Sequence, residues 1–311
     1  MAVFDRIKGA LYGVAVGDAL GGPLEFMSRE AVHSAYPDGL RDMVGGGWLN
    51  LKPGETTDDT AMALCVAEGI AAAETAAKDG SASDDELTHQ IGERFIGWLR
   101  SDPPDVGATC RSAILRADRN LSKGLKPAQA WLRAAESLSP NQEGNGALMR
   151  CVYPGLWYPD SESAVHAARL QAHLTHSGPQ SAAICAWYAM IIWMYTCGAF
   201  EPLLSDCPVA ADPVSRDWSP SGYVVDTMRA VILAMQEPTF EQTLVTAVNF
   251  GGDADTAGAI AGGLAGAKYG FKAIPKRWVA ALDPALHAEL DKLAKLAYSC
   301  LLYTSPSPRD S

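Results

Sequence analysis

The sequence has little of what marks secreted, membrane-spanning or nucleic-acid-binding proteins. Its seven cysteines include no C-x-x-C pair, which favours reduced, buried thiols in a cytoplasm. The most apolar run, 182–197, is shorter than the ~20 residues that span a bilayer. Lys and Arg number 25 against 36 Asp and Glu, and the net charge of −11 argues against general binding to nucleic acids or anionic membranes. Asp18 and repeated glycines interrupt the N-terminal apolar stretch before a signal-peptide core can form, so we expect a soluble, cytoplasmic protein.

Alternation typical of strands is scarce as well, whereas apolar spacing typical of helices recurs along nearly the whole chain, which predicts an all-α fold. The predicted helices are 3–20, 58–77, 84–100, 107–118, 127–137, 161–173, 179–197, 221–236, 240–249, 255–269, 275–281 and 285–300. The proline-containing segment 198–220 is predicted to be an irregular excursion between helices. We expect one compact domain over 1–300 and a disordered or artefactual tail at 301–311, where two Ser-Pro pairs lie in a polar stretch.

Glycine recurs at every fourth position in two of the predicted helices. The first stripe is Gly9, Gly13, Gly17 and Gly21, and the second is Gly258, Gly262, Gly266 and Gly270. A glycine inside a helix costs ~1 kcal/mol relative to alanine, so each stripe needs a compensating gain such as close approach of another helix. We interpret both stripes as parts of central buried helices that can touch each other. If they touch, Asp18 and Glu25 would lie near Asp253.

Two short acidic boxes, 57–60 and 253–256, lie far apart in the chain. The first reads Thr-Asp-Asp-Thr and the second Asp-Ala-Asp-Thr, and each stands where a Gly-rich loop enters a long apolar helix. One interpretation is that each box only caps its helix, because Asp and Thr satisfy free N–H groups at a first turn. The other is that folding brings the boxes together. Their carboxylates and hydroxyls would then suit hard cations, Mg²⁺ or Mn²⁺, better than zinc or copper.

Further motifs accompany the two boxes in order along the chain. They are Gly17-Asp18-Ala19-Leu20-Gly21 followed by Glu25, Thr57-Asp58-Asp59-Thr60, Asp105-Val106-Gly107, Gly144-Asn145-Gly146-Ala147-Leu148-Met149-Arg150, Thr175-His176 and Gly251-Gly252-Asp253-Ala254-Asp255-Thr256. Over roughly residues 5–280 the sequence resembles the ADP-ribosylglycohydrolase family, which includes dinitrogenase-reductase-activating glycohydrolases and hydrolases of ADP-ribosylarginine and ADP-ribosylserine. Each motif alone is weak, but their occurrence in this order is highly specific.

The resemblance implies a compact all-α domain with a binuclear Mg²⁺ or Mn²⁺ site. The metal ligands that it implies are Thr57, Asp58, Asp59, Asp253, Asp255 and Thr256. This assignment agrees with the hard-cation chemistry inferred from the boxes themselves. Two such ions can hold vicinal ribose hydroxyls and so place the anomeric carbon beside an activated water.

Two further carboxylates are candidates for catalysis. Glu25 is either a solvated residue after a loop or, as the resemblance implies, a mobile acid that acts as a gate or transfers a proton. Asp105 is either the N-cap of the helix that follows it or, as the resemblance implies, a proton-handling or substrate-orienting residue. Cys110 stands where members of the family commonly have a hydroxyl residue, so the contacts of this loop depart from the family pattern.

The segment 144–146 is a candidate substrate loop. Gly144, Asn145 and Gly146 offer backbone N–H groups and conformational freedom, which suit close approach to a diphosphate. An ordinary turn would have the same composition. The resemblance favours ligand contact by Asn145 and implies that His176 contacts the substrate.

Several neighbouring residues are given no part in the chemistry. His166 and His173 share helical spacing with His176 and could mimic a zinc site, but Ser177-Gly178-Pro179 is predicted to end their helix. Arg150 is interpreted as structural. The aromatic residues of the helix predicted at 179–197 are interpreted as core; they are Trp187, Tyr188, Trp193 and Tyr195.

We therefore predict a metal-dependent hydrolase that cleaves the glycosidic bond between ADP-ribose and an acceptor, with protein arginine as the expected acceptor. Its substrates would be ADP-ribosylated proteins or small-molecule conjugates of ADP-ribose, and we expect a monomer. One alternative is hydrolysis of another ADP-ribosyl linkage, on serine, a nucleobase or O-acetyl-ADP-ribose. Another is a non-catalytic relative that binds ADP-ribose or has a structural, crystallin-like role, although retention of all the implied metal ligands argues against it.

Overall fold

The computed structural model describes residues 2–77, 81–138, 143–197, 202–209 and 218–304. Over these ranges the chain forms α-helices and short 3₁₀ turns without any strand, so the prediction of an all-α fold is confirmed. The helices are α1 (Val3–Gly21), α2 (Arg29–Ala35), α3 (Asp58–Ala76), α4 (Asp84–Arg100), α5 (Ala108–Ser122), α6 (Pro127–Glu136), α7 (Pro154–Trp157), α8 (Ser161–His173), α9 (Pro179–Cys197), α10 (Val224–Ala234), α11 (Phe240–Val248), α12 (Ala254–Tyr269), α13 (Lys276–Ala281) and α14 (Pro284–Thr304).

Helices α1 and α12 run antiparallel at the centre of the molecule, with their backbones in contact along the two glycine stripes. A Cβ atom added at Gly13 would lie 2.0 Å from the carbonyl oxygen of Gly262, and one added at Gly17 would lie 1.9 Å from that of Gly258. The interpretation of both stripes as parts of central buried helices is therefore confirmed, and the contact that it allowed is present. This approach explains how both helices tolerate residues that cost ~1 kcal/mol each in helix propensity. It also places the C-terminal end of α1 against the first turn of α12.

Helix α9 is buried along most of its length, as its uniformly apolar sequence predicts. Trp187, Tyr188 and Tyr195 are at most 5% exposed, which confirms them as core, and Trp193 is half-buried. All the cysteines are free thiols, but the prediction that they are buried is wrong for Cys197, which is exposed because it is the last residue of α9. None of the helices within the described ranges combines the length and apolar character needed to cross a bilayer.

The predicted helices match the observed ones to within about one turn, with two omissions and one difference at the C-terminus. Helices α2 and α7 were missed because they are too short to show a helical period. Helix α14 continues to Thr304, whereas the tail was predicted to begin at residue 301; Leu301 packs against the core and extends the helical pattern. Residues 305–311 lie outside the described ranges, as does most of the predicted excursion at 198–220.

Candidate metal centre and active site

The contact between α1 and α12 brings the two acidic boxes together. Box 57–60 opens α3 and box 253–256 opens α12. The Thr57 hydroxyl lies 3.3 Å from Asp59 Oδ2 and 3.4 Å from Asp255 Oδ2. The Thr256 hydroxyl lies 3.3 Å from the same oxygen of Asp59. The N-termini of two helices thus face one acidic cluster, comprising Asp58, Asp59, Asp253 and Asp255, and their partial positive charges offset part of its negative charge.

Asp18 lies beneath the first box and is fully buried. Its carboxylate accepts hydrogen bonds of 3.0 Å from the backbone N–H groups of Thr57 and Thr60, and it also accepts from both of their hydroxyls. Burial nevertheless raises the pKa of Asp18 to about 6, because these bonds only partly replace its lost hydration. Asp18 therefore holds the first turn of α3 with both of its oxygens occupied.

Asp59 lacks the complete set of partners that Asp18 has. Its side chain is buried, yet its Oδ1 has no hydrogen-bond partner within the part of the chain that the structure describes. Burial and then repulsion by Asp18 and Asp58 raise the pKa of Asp59 well above its ordinary value. Burial and repulsion by Asp59 do the same to the pKa of Asp255. Leaving such groups without compensation is costly, so the cluster has the properties of a cation site.

Helix capping explains each box only in part; in the second box, Asp255 Oδ1 accepts from the first-turn N–H of Thr256 at 2.9 Å. Thr57 does cap α3, since its hydroxyl accepts from the backbone N–H of Asp59 at 3.4 Å. Asp253 occupies the N-cap position of α12, but its side chain makes no capping bond. Its Oδ2 instead accepts from Asn145 Nδ2 at 2.7 Å, inside the cavity described below. The side chain of Asp253 is therefore used for something other than starting a helix.

Glu25 and Asp105 lie at the edge of the acidic cluster. Glu25 is 9% exposed, which contradicts its interpretation as a solvated residue, and its Oε2 accepts a hydrogen bond from the Trp48 indole N–H. Burial, followed by repulsion from Asp105 and Asp253, raises the pKa of Glu25 to about 7 although the bond from Trp48 opposes the shift. One oxygen each of Glu25, Asp253 and Asp255 lie within 4.8 Å of one another, close enough to share a cation. Asp105 does not cap α5, whose N-cap residue is Gly107, and burial raises its pKa.

The segment 144–146 forms the opposite wall of the site. Gly146 cannot be replaced by a larger residue without a shift, because a Cβ there would lie 2.9 Å from Cys110 Sγ and 3.2 Å from His176 Cε1. The amide nitrogen of Asn145 donates to Asp253 and also to the Thr227 hydroxyl at 2.9 Å. Both amide protons of Asn145 are thus used within the protein. This residue orients a carboxylate of the cluster and has only its amide oxygen left for other contacts.

Of the three histidines with helical spacing, His176 alone reaches this wall. It is buried, its Nδ1 lies 2.8 Å from the Thr175 hydroxyl, and burial with the nearby Arg150 charge lowers its pKa to about 3. Its ring is therefore neutral near pH 7. His166 lies at the surface with its Nε2 2.7 Å from Asp84 Oδ1, and His173 does not line the site either. The three residues do not form a zinc site.

A cavity of about 270 Å³ lies between the acidic cluster and segment 144–146. Thr57 does not line the cavity but contacts Asp59 and Asp255, which do. Every other residue assigned to the site from the sequence lines it: Glu25, Asp58, Asp59, Asp105, Gly144, Asn145, Gly146, His176, Asp253, Asp255 and Thr256. Sequence reasoning missed Phe26, which also lines the cavity, and Trp48, which contacts Glu25. A usable signal was present, since Trp48 directly follows three glycines, an unusual setting for a large aromatic residue.

Comparisons with known proteins give matches over nearly the whole chain. A family model described as ADP-ribosylglycohydrolase matches residues 1–306. The ADP-ribosyl-[dinitrogen reductase] glycohydrolase of Rhodospirillum rubrum is 38% identical over 308 residues, covering 93% of this chain and 94% of that protein. The ADP-ribosylarginine hydrolase Tri1 of Serratia proteamaculans is 33% identical, covering 97% of this chain and 80% of that protein. A solved structure described as an ADP-ribosylglycohydrolase-related protein complex matches with a TM-score of 0.76 and 30% identity, over 96% of this chain and 99% of that one.

Proposed function

This chain belongs to the ADP-ribosylglycohydrolase family and is an enzyme, and on that premise we propose that it hydrolyses the bond between ADP-ribose and an arginine side chain with the help of hard divalent cations. The choice of arginine is supported by the similarity to an ADP-ribosylarginine hydrolase. The observation that carries the proposal is the meeting of the two acidic boxes in one cavity. Helix capping gives no reason for them to meet.

The donor set of the acidic cluster fits Mg²⁺ or Mn²⁺. All its possible metal-ligating atoms are carboxylate and hydroxyl oxygens, which hard cations prefer. Asp59 Oδ1 has no hydrogen-bond partner in the described protein and is therefore available as a ligand. The residues that would hold two ions are Thr57, Asp58, Asp59, Asp253, Asp255 and Thr256. When bound, such ions supply Lewis acidity and positive charge for the hydroxyls of the ribose and for water.

In this proposal Glu25 transfers the proton that hydrolysis requires. Without metal, burial and repulsion by neighbouring carboxylates raise its pKa to about 7, and a carboxyl that exchanges its proton near neutral pH suits a general acid or base. As water adds to the anomeric carbon, the C–N bond breaks and its electron pair leaves with the guanidine nitrogen, which gains a proton. Glu25 can accept the proton of the water or donate one to the departing nitrogen. Asp105, whose carboxyl lies against Asp58, would orient the water.

The opposite wall of the cavity is suited to the diphosphate of ADP-ribose. Gly144 and Gly146 allow close approach to the backbone. Because the His176 ring is neutral near pH 7, its charge does not change with pH in that range. We expect the enzyme to act as a cytoplasmic monomer on ADP-ribosylated proteins or on small conjugates of ADP-ribose.

The test of this function compares three substrates under two conditions. Purified protein is incubated with ADP-ribosyl-arginine, ADP-ribosyl-serine or O-acetyl-ADP-ribose, in Mg²⁺ or Mn²⁺ and separately in EDTA, and released ADP-ribose is measured. We expect release from the arginine conjugate that requires metal. Undiminished release in EDTA would contradict the metal site, and preference for another substrate would contradict the choice of acceptor.

Calorimetry provides a second test that does not depend on turnover. Because ions held by the cluster would attract ribose hydroxyls and offset the acidic field, ADP-ribose should bind only when metal is present. AMP lacks the distal ribose and should bind much more weakly. Equal affinity for AMP, or binding of ADP-ribose that survives EDTA, would argue against this arrangement.

A further inference from the structure

Two large aromatic side chains lie exposed together at the mouth of the cavity. Phe26 is 70% exposed and Trp48 is 51% exposed, and Phe26 lines the cavity beside Glu25. Their ring centroids are 5.5 Å apart and their planes are inclined by 46°. Single exposed apolar residues are common, but a contiguous pair beside a polar site indicates a surface that contacts a ligand.

The backbone holds Phe26 in this position at a cost. Its φ angle is 64°, in the left-handed region that bulky residues avoid. Two backbone hydrogen bonds maintain this conformation, from Phe26 N–H to Gly252 O and from Gly252 N–H to Met27 O, both of 2.7 Å. The exposed ring is therefore fixed to the loop that leads into the second acidic box.

Trp48 is held from a different loop. Gly46 and Leu51 exchange backbone hydrogen bonds of 2.7 and 2.9 Å and close a tight turn that carries Trp48 at its tip. The indole N–H donates to Glu25, so the ring is oriented by the carboxylate that we assign to proton transfer. Two separate loops thus place aromatic rings next to Glu25 at the mouth of the cavity.

The charge of the cavity determines which acceptor would suit these faces. The described residues that line it include several carboxylates and neither lysine nor arginine. Glu25 and Asp105 line the cavity outside the set of residues that would hold the cations, so their carboxyl oxygens remain as acceptors for a group that donates hydrogen bonds. A guanidinium is a planar cation that stacks on aromatic rings and donates to carboxylates. A serine or acetyl acceptor offers neither property.

We propose that Phe26 and Trp48 form the acceptor subsite and hold the guanidinium of an arginine conjugate between aromatic faces and the edge carboxylates. This inference rests on the proposed function and adds to it the two residues that would select the acceptor. Binding of the ADP-ribose part is left to the cluster and segment 144–146. The subsite should therefore affect conjugates that carry a guanidinium but not free ADP-ribose.

The main experiment compares Phe26→Leu with Phe26→Tyr. Leucine keeps an apolar side chain without an aromatic face, so KM for ADP-ribosyl-arginine should rise about 2- to 30-fold, as expected for loss of a cation–π contact. Tyrosine keeps the face and should retain the wild-type KM. The Kd of free ADP-ribose, measured by calorimetry, should be unchanged in both variants. Leu132→Ala, at an exposed apolar position that does not line this cavity, controls for general effects of surface substitution.

Trp48 is tested with a second matched pair. Trp48→Phe keeps an aromatic face but removes the N–H donor to Glu25, so kcat should fall while KM for the arginine conjugate is retained. Trp48→Leu removes both and should also raise KM. The split between kcat and KM separates acceptor contact from positioning of Glu25.

Each outcome supports or overturns the inference. An unchanged KM in Phe26→Leu, or an equal loss of affinity for free ADP-ribose, would show that the pair does not hold the acceptor. If wild-type protein cleaves the arginine conjugate and the leucine variants do so equally well, only the acceptor subsite is refuted. If wild-type protein cleaves only conjugates without a guanidinium, the proposed acceptor and the subsite are both refuted.

Discussion

The cavity lies between two buried polar regions that differ in how completely their charged groups are hydrogen-bonded. On one side the fully buried Arg150 donates from each of its nitrogens, to Gln171 Oε1, Gln171 O, Thr175 Oγ1, Met62 Sδ and Cys110 Sγ. On the other side, burial and crowding raise the pKa values of Asp58, Asp59 and Asp255, and Asp59 Oδ1 has no partner in the described chain. Charge that the protein itself satisfies belongs to the fold, whereas charge that it leaves unsatisfied is available to a ligand.

The sharpest contrast between the two regions should come from Asp255→Ala. We expect hydrolysis to be abolished, while the metal-free protein remains folded or is slightly stabilised, because a buried carboxylate that repels its neighbours has been removed. Metal should raise the melting temperature of the wild type but not of the variant. Equal stabilisation by metal in both proteins would remove Asp255 from the ligand set.

Glu25→Gln tests whether the chemistry extends to the edge of the cluster. The substitution keeps shape and hydrogen bonding but removes the ionisable group, so kcat should fall about 10²- to 10⁴-fold while ADP-ribose binding is largely preserved. If Glu25 only gates the cavity, steady-state kinetics and calorimetry should instead show affinity changing more than turnover. Wild-type values for both would mean that it has no functional role.

Arg150→Met tests the region in which the buried charge is fully hydrogen-bonded. Methionine fills much of the volume but leaves the acceptors of Gln171 and Thr175 without donors, so the free energy of unfolding should fall by about 2–4 kcal/mol. Denaturant unfolding measures this change, and activity per folded molecule should fall far less than in Asp255→Ala. A variant as stable as the wild type would contradict the claim that the hydrogen bonds of Arg150 stabilise the fold.

The smallest effect should be an inverted pH dependence of stability in the metal-free protein. The pKa of Asp18 rises from 3.8 to about 6 on folding, and that of Glu25 rises from 4.5 to about 7. Both groups bind their protons more tightly in the folded state, so their stabilising contribution is complete below the unfolded values and is lost as pH rises through 6 and 7. Thermal melts in EDTA should therefore show a melting temperature several degrees lower at pH 8 than at pH 5. Added Mg²⁺ should flatten this dependence, and a melting temperature that rises with pH in EDTA would contradict it.

Much of the architecture could be read from local patterns. The apolar content of α1, α3 and α12, the glycine stripes and the position of each acidic box all follow from residue type and spacing. The order of the motifs was also sufficient to indicate the family that the comparisons support. Helix α2 was missed because seven residues contain too little periodicity to distinguish a helix from a loop.

The contacts that each carboxylate makes could not be predicted from local sequence patterns. Sequence alone was sufficient for the longer helices and for the possibility of a close central crossing, because apolar residue content and glycine spacing are local properties. Tertiary structure decided that Asp18 is fully hydrogen-bonded beneath the first box, that Asn145 is used to hold Asp253, and that Trp48 contacts Glu25. These contacts join residues that are distant in the chain, so no local pattern encodes them. The burial of each carboxylate and the hydrogen-bond donors near it decide whether its oxygens are satisfied or are left for a ligand.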